Sequence, residues 1–299
     1  MPTIAVAGAT GRLGHLTVKA LSARGATVRP LVRPGSPSDK LQGFDGTEIT
    51  EADYANPGQL AKALEGVDVV VSALNGLRDV IVGTQSQLLA AAVSAKVPRF
   101  IPSDYAADLM ALAPGENRNF DLRREFREQH LLKAPIASTS ILVGGFMELL
   151  LWGRGIDFKA HSVNYWGTPD QPLDYTTMAD TAAITAEAAL DPAPPKILRI
   201  VGNSVTARQI AEAAAEVAGT PFSLNRLGSI DDLAALIAKE LHDHPGTETE
   251  TFPRFQQLQY AHNMHSGRGQ LHNLDNGRYA LELTSVRDLL RANARMLKG

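Results

Sequence analysis

The run Thr3-Ile-Ala-Val-Ala-Gly-Ala-Thr-Gly-Arg-Leu-Gly14 constrains this chain more than any other segment. An apolar strand ends in glycines at 8, 11 and 14, and a helical pattern follows at once over Arg12–Ala23. Glycine at 8 permits a tight turn with positive φ. Glycine at 11 admits a pyrophosphate close to the backbone, and glycine at 14 lets helix and strand pack closely. The helix N-terminus then offers free N–H groups and partial positive charge to an anion. With strand, loop and helix in the required order, the run reads as a dinucleotide-binding loop.

The first half continues this alternation. Strand patterns are expected at Thr3–Ala7, Ala26–Val32, Thr47–Thr50, Val67–Ala73, Arg99–Pro102 and Ser138–Val143, with helical patterns at Arg12–Ala23, Gly58–Leu64, Val80–Ala95 and about Asn119–Leu132. The strands are short continuous apolar runs, as expected of strands covered by helices on both faces. The fold class is therefore α/β, a doubly wound parallel Rossmann sheet with a smaller C-terminal α+β substrate lobe. Residues 1–150 are assigned to nucleotide binding and 151–299 to the lobe, interleaved with late strands of the main sheet. In the second half, Gly155–Trp166 reads as a hairpin, Met178–Leu190 as a helix, and Thr206-x-x-Gln209 as a capping box. His242–Glu250 reads as a polar loop.

Composition excludes several classes. A net charge of −3 gives no reason to expect nucleic acid or an acidic membrane surface as partner. Absence of cysteine excludes disulfides, thiolate catalysis and cysteine zinc sites. No apolar run approaches a membrane span and no signal peptide precedes the first strand, so a cytoplasmic location is expected. His242-Asp-His244 and His262-x-x-His265 have metal-like spacing, but no acid completes a motif, and no metal is expected.

An NAD-selective Rossmann domain carries an acid at the end of its second strand to hold the ribose 2′-hydroxyl. Here the strand ends Leu31-Val-Arg33, with no acid until Asp39. Arg33 stands where a 2′-phosphate would sit, Arg12 lies in the glycine loop, and Lys40 follows shortly. A guanidinium fork matches phosphate, so the expected cofactor is NADP(H).

The segments Gly8-Ala-Thr-Gly-Arg-Leu-Gly14, Leu31-Val-Arg33, Gln85–Ala95 and Arg99-Phe-Ile-Pro-Ser-Asp-Tyr105 together resemble the NmrA-like and isoflavone-reductase-like proteins, which are atypical short-chain dehydrogenases/reductases. The resemblance implies a Rossmann fold, NADPH as hydride donor and a small, often aromatic substrate. It implies that Gly8, Thr10, Gly11, Arg12, Leu13 and Gly14 wrap the pyrophosphate. Arg33 and Lys40 would bind the 2′-phosphate. Ala73, Leu74 and Asn75 would pass beneath the adenosine and ribose, and Pro102, Ser103, Asp104 and Tyr105 would line the nicotinamide end.

The chain departs from that family at one place. Reductases of this kind resemble one another in a helix lysine near the nicotinamide, and here the helix has none until Lys133. Counting back from Thr139 puts Arg124, or else Arg123, at that position. Arginine binds an oxyanion but does not release a proton near neutral pH. Tyr-x-x-x-Lys is also missing after Tyr105. Tyr105 is the expected replacement proton donor, with Asp104 orienting a partner and His130 a weaker candidate. Phe146, Met147, Tyr165 and Trp166 are expected to form an apolar substrate wall, core packing being the competing account for Trp166.

Two functions of different kinds remain: an NADPH-dependent reductase of an enone, quinone, ketone or aromatic substrate, and an NADP(H)-binding redox sensor with little catalysis. An epimerase or dehydratase is weaker without Tyr-x-x-x-Lys. The expected partner is a small molecule, and the assembly a monomer or homodimer.

Overall fold

The computed structural model describes residues 1–298. Strands β1 (Thr3–Ala7), β2 (Thr27–Val32), β3 (Thr50–Glu51), β4 (Val69–Ser72), β5 (Arg99–Ile101) and β6 (Ala137–Ser138) form a parallel sheet in the order β3-β2-β1-β4-β5-β6. Chain order reverses between β1 and β4, and that is where a doubly wound sheet opens a crevice at its carboxyl edge.

Successive side chains of a strand face opposite sides. In β1, Ile4 and Val6 enter one core and Ala5 and Ala7 the other. Both faces are buried, so the strand reads as continuous apolar sequence. Helix α1 (Arg12–Ser22) covers the first face; α2 (Pro57–Ala63), α3 (Gln85–Ser94) and α4 (Arg118–Gln129) belong to the second. Helix α5 (Met178–Leu190) comes from the second half of the chain yet packs on α1, with Ile184, Ala188 and Ala189 in the core of Ile4 and Val18. Arg99 on β5 fastens it: its guanidinium donates to the Ala189 and Asp191 carbonyls at 2.6 Å each, capping the helix C-terminus.

The expected strand Ser138–Val143 is split at Thr139 into β6 and β7 (Ser140–Leu142). Beyond it the chain forms β8 (Gly145–Phe146), β9 (Ile156–Asp157), β10 (Ser162–Trp166), β11 (Leu173–Thr176), β12 (Ile197–Arg199), β13 (Asn203–Val205) and β14 (Ser223–Gly228). Strand β12 returns to pair in parallel with β7. The others make two three-stranded sheets, β13-β11-β8 and β14-β10-β9. Helices α6 (Ala207–Ala218), α7 (Ile230–Asp243), α8 (Arg254–His265) and α9 (Val286–Ala292) complete this layer. The Thr206–Gln209 capping box is formed in both directions.

Two local expectations need correction. The third strand is Thr50–Glu51 rather than Thr47–Thr50, with Thr47 making only a bridge to Val28. The polar stretch after residue 241 is not all loop. Helix α7 continues to Asp243, held by a Lys239–Asp243 pair one turn apart.

Candidate functional site

At the end of β1 the chain turns at Gly8 with φ of +72°. A Cβ there would stand 2.6 Å from the Ala73 carbonyl oxygen, so the first crossing of the sheet is closed by backbone against backbone. A Cβ on Gly14 would stand 2.1 Å from the Gly8 carbonyl oxygen, which sets how closely α1 approaches the loop. Gly11 is the N-cap residue of α1 and no side chain caps the helix. The first-turn N–H groups of Arg12, Leu13 and Gly14 therefore lack intrahelical partners and are free for an anion. Arg12, Arg33 and Lys40 surround this corner without an ion-pair partner among the described residues. Arg33 acts on the buried Tyr54, whose hydroxyl lies beside Gly8, and Lys40 acts on His15 in the first turn of α1. The donor set fits the diphosphate and 2′-phosphate of a dinucleotide.

The next strand ends are tied to one another. Ser103, following β5, donates its hydroxyl to the Leu74 carbonyl at 2.6 Å, and its N–H donates to Gln85 Oε1 at 3.0 Å. Gln85 is fully buried and anchors its amide on the Ile81 carbonyl. These bonds hold the loops after β4 and β5 side by side at the crevice, where Pro102 is buried beneath and Ala73, Leu74, Asn75 and Ser103 face a cavity.

That cavity has a volume of about 450 Å³ and runs from Gly11, Arg12 and Leu13 to the second half of the chain. Its far walls are apolar: Phe120, Phe146, Leu149, Met178, Phe252 and Met264. Four polar side chains join them: Arg123, Arg154, Tyr260 and Asn263. Arg12 lies over the Trp152 ring at 4.9 Å, joining the glycine loop to the opposite rim. Arg118 donates to the carbonyls of Glu248, Glu250 and Thr251, which fixes the segment before α8 and sets Phe252 in the wall.

The expected catalytic residues are redistributed. Arg124 does not reach the cavity: it pairs with Asp121 at 2.6 Å and donates to the Leu109 and Leu112 carbonyls at 2.8 and 2.7 Å. Its neighbour Arg123 faces the cavity instead, donating Nε to the Ser103 carbonyl at 3.0 Å and Nη1 to the Asn119 carbonyl at 2.9 Å. One helical residue turns the side chain by roughly a quarter of a turn, and that decides which arginine is available.

Tyr105 contributes to the cavity wall, but its ring lies in the core with Ile141, Val143 and Ile184. Its hydroxyl is sealed beside Thr185 on α5, and burial pushes its pKa far above the usual tyrosine range, making it a weaker acid. It is not placed to donate a proton into the cavity. Asp104 is 2 % exposed, beneath the wall and beside Ser140. Burial pushes its carboxyl up, opposed by Ser140, Arg123 and Arg127. Arg127 in turn donates to Ser140 Oγ at 3.1 Å, so Asp104 belongs to a buried network under Arg123. His130 ends α4, stacked on Phe126 and away from the cavity.

Of the four expected wall residues only Phe146 lines the cavity. Met147 and Tyr165 lie in the core of the second layer, with Leu150, Val163 and Leu173. Trp166 packs over Gly228, whose added Cβ would come within 2.9 Å of the indole. Tyr165 and Trp166 are consecutive in β10 and so face opposite sides, one into the core and one onto Gly228, while Met147 opens the helical turn after β8.

Sequence reading missed Tyr260 and Asn263. They and Met264 sit at i, i+3 and i+4, one face of α8, but that face combines an aromatic, an amide and a thioether and gives no periodic signal. Asn119 Nδ2 donates to the Tyr260 hydroxyl at 3.1 Å, leaving the phenol hydrogen free for the cavity. Burial raises the pKa of Tyr260, while Arg123, Arg118 and Arg154 pull it back down.

Comparison with known proteins places this geometry. Pinoresinol reductase 2 of Arabidopsis thaliana is 28 % identical over 265 residues, covering 81 % of this chain and 83 % of the relative. An NmrA-like family domain-containing oxidoreductase of Gibberella moniliformis is 27 % identical over 257 residues, covering 79 % and 83 %. Among solved structures, AtPrR2 with NADP+ and (+)pinoresinol superposes with a TM-score of 0.82 at 22 % identity, over 97 % of this chain and 98 % of that one. The binary complex of leucoanthocyanidin reductase with NADPH from Vitis vinifera gives 0.79 at 17 % identity, over 98 % and 99 %. These superpositions agree with the doubly wound sheet and its second layer. The NmrA-like family model matches residues 1–264, from the glycine loop to the face of α8 that closes the cavity, and the chain belongs to that family.

Proposed function

We propose that the protein is an NADPH-dependent reductase that delivers hydride to a small aromatic substrate of carbonyl, enone or quinone type. The observation that carries this reading is one continuous cavity. It begins at uncapped helix N–H groups and ends among aromatic and apolar side chains with a hydrogen-bonded phenol. The relatives' names, pinoresinol reductase among them, support an aromatic substrate.

In this reading Arg12, Leu13 and Gly14 hold the pyrophosphate through backbone N–H groups, and Arg33 and Lys40 take the 2′-phosphate. Ala73 to Asn75 and Ser103 border the riboses. NADPH, when bound, supplies the hydride. The chain's own contribution is electrostatic and protic. Arg123, held by two backbone carbonyls, stabilises negative charge that develops on a substrate oxygen. Tyr260 donates its hydrogen to that oxygen. The second arginine is not needed at the site because Arg124 secures the Leu109–Leu112 loop. Asp104, through its place beneath Arg123, acts as a positioning residue. No helix among the described residues is long and apolar enough to cross a membrane.

The test is a calorimetric titration with NADPH and NADH, followed by turnover of a quinone and enone panel. NADPH binding at least about tenfold tighter than NADH, about 1.4 kcal/mol, together with turnover is the expected result. Tight NADP(H) binding without turnover across the panel favours the redox-sensor function. Absence of binding removes the cofactor assignment.

A further inference from the structure

The polar groups at the far end of the cavity are all hydrogen-bond donors toward its interior, and hydrogen-bond logic fixes one of them. Asn117 caps α4, its Oδ1 accepting from the Phe120 N–H at 3.2 Å and from Gln256 Nε2 at 2.9 Å. Its Nδ2 must then point the other way, and it donates to Asn263 Oδ1 at 2.8 Å. The Asn263 amide is thereby oriented, carbonyl toward Asn117 and Nδ2 toward the cavity. Asn263 is 0 % exposed, and its Nδ2 has no hydrogen-bond partner. A buried donor left so is costly, and a donor aimed at a cavity is satisfied by what the cavity binds.

Arg154 stands exposed at the rim of the same end, close enough to Tyr260 for their charges to interact, and its guanidinium has no hydrogen bond or ion pair among the described residues. No aspartate or glutamate lines the cavity. A neutral acceptor would satisfy Asn263 and make no use of the positive charge that Arg154 presents at the rim. A carboxylate satisfies both, since two oxygens can accept from an amide and a guanidinium together.

Resting on the reductase reading of the same site, we infer that the substrate is an anion: an aromatic or apolar body carrying a carboxylate that Asn263 Nδ2 and Arg154 grip. Arg123 and Tyr260 remain for the oxygen at the reacting end. The apolar walls at Phe120, Phe146 and Met264 hold the body between them.

The probes are trans-cinnamate and methyl trans-cinnamate, titrated into the full chain saturated with NADP+. The acid should bind at least about tenfold tighter than the ester, the contrast expected of a charge-assisted pair. Arg154→Met should erase that preference while the ester and NADP+ keep their affinities. Asn263→Leu should also weaken the acid, and if it does not fold, the rim variant at 154 decides alone. Equal binding of acid and ester, tighter binding of the ester, or no binding of the acid overturns the proposal. So does an Arg154→Met protein that loses NADP+ and keeps the acid preference. Failure of NADP+ to bind is seen before any acid is added, and it counts against the reductase reading; the same acid–ester comparison on the free protein then judges the anion site.

Discussion

The two ends of the cavity are built in opposite ways. The nucleotide end comes from one continuous stretch, Gly8 to Gly14, in which backbone conformation and the first turn of α1 do the binding. The substrate end gathers Phe120 and Arg123 from α4, Phe146 from β8, Arg154 from the turn before β9, and Tyr260 and Asn263 from α8. One end is a local motif that steric rules make legible. The other exists only because α4, α8 and β8 meet, and its polar groups are oriented by bonds between residues such as Asn117 and Asn263, far apart in the chain. A local motif fails through its backbone. An assembled wall fails one side chain at a time.

The largest effect should follow Gly14→Val. Its Cβ would meet backbone atoms that cannot swing aside, so a loss of about 4 kcal/mol or more in stability is expected, with loss of NADPH binding. A folded Gly14→Val protein of unchanged affinity, by denaturant melt and calorimetry, would refute the close-approach account.

Next comes the arginine pair. Arg123→Ala should lower kcat/KM per folded molecule by roughly two to three orders of magnitude, about 2.7–4 kcal/mol, its stability cost being that of the Ser103 carbonyl left without its donor. Arg124→Ala should do the reverse. It leaves the Leu109 and Leu112 carbonyls without donors, costs about 1–3 kcal/mol of stability, and spares turnover per folded molecule. Exchange of the two phenotypes would restore the assignment made from spacing.

Arg33→Ala should weaken NADPH by about 1.5–3 kcal/mol and leave NADH nearly unchanged. An unchanged NADPH/NADH affinity ratio would mean that Lys40 or Arg12 carries the 2′-phosphate.

The last concerns α8. Burial pushes His265 down to about 4. The unfolded chain takes up its proton near pH 6.5, whereas the folded chain resists until about 4. The stabilising contribution is therefore complete above pH 6.5 and is lost as pH falls toward 4, by on the order of 2–3 kcal/mol. His265→Gln should flatten that part of the stability–pH curve, with His262, also lowered by burial, left to account for any remaining slope. An identical slope in wild type and variant would place the titrating group elsewhere.

Much of this was legible without coordinates. The glycine triplet, the alternation of apolar strands and amphipathic helices, the missing acid after β2 and the Thr206 cap are statements about neighbouring residues, where sterics and hydrogen bonding act within a few positions. The span of α5 follows from its own capping threonine at 177, but its packing on α1 and its tie to β5 through Arg99 do not. What the tertiary structure alone decided was direction. It turned Arg123 inward and Arg124 away, buried Tyr105 against Thr185, and sent Met147, Tyr165 and Trp166 into packing. It also brought Tyr260 and Asn263 to the place those residues left. The reason is physical: a backbone motif carries its geometry in its own dihedral angles, whereas a side chain acquires a partner only when another element arrives beside it.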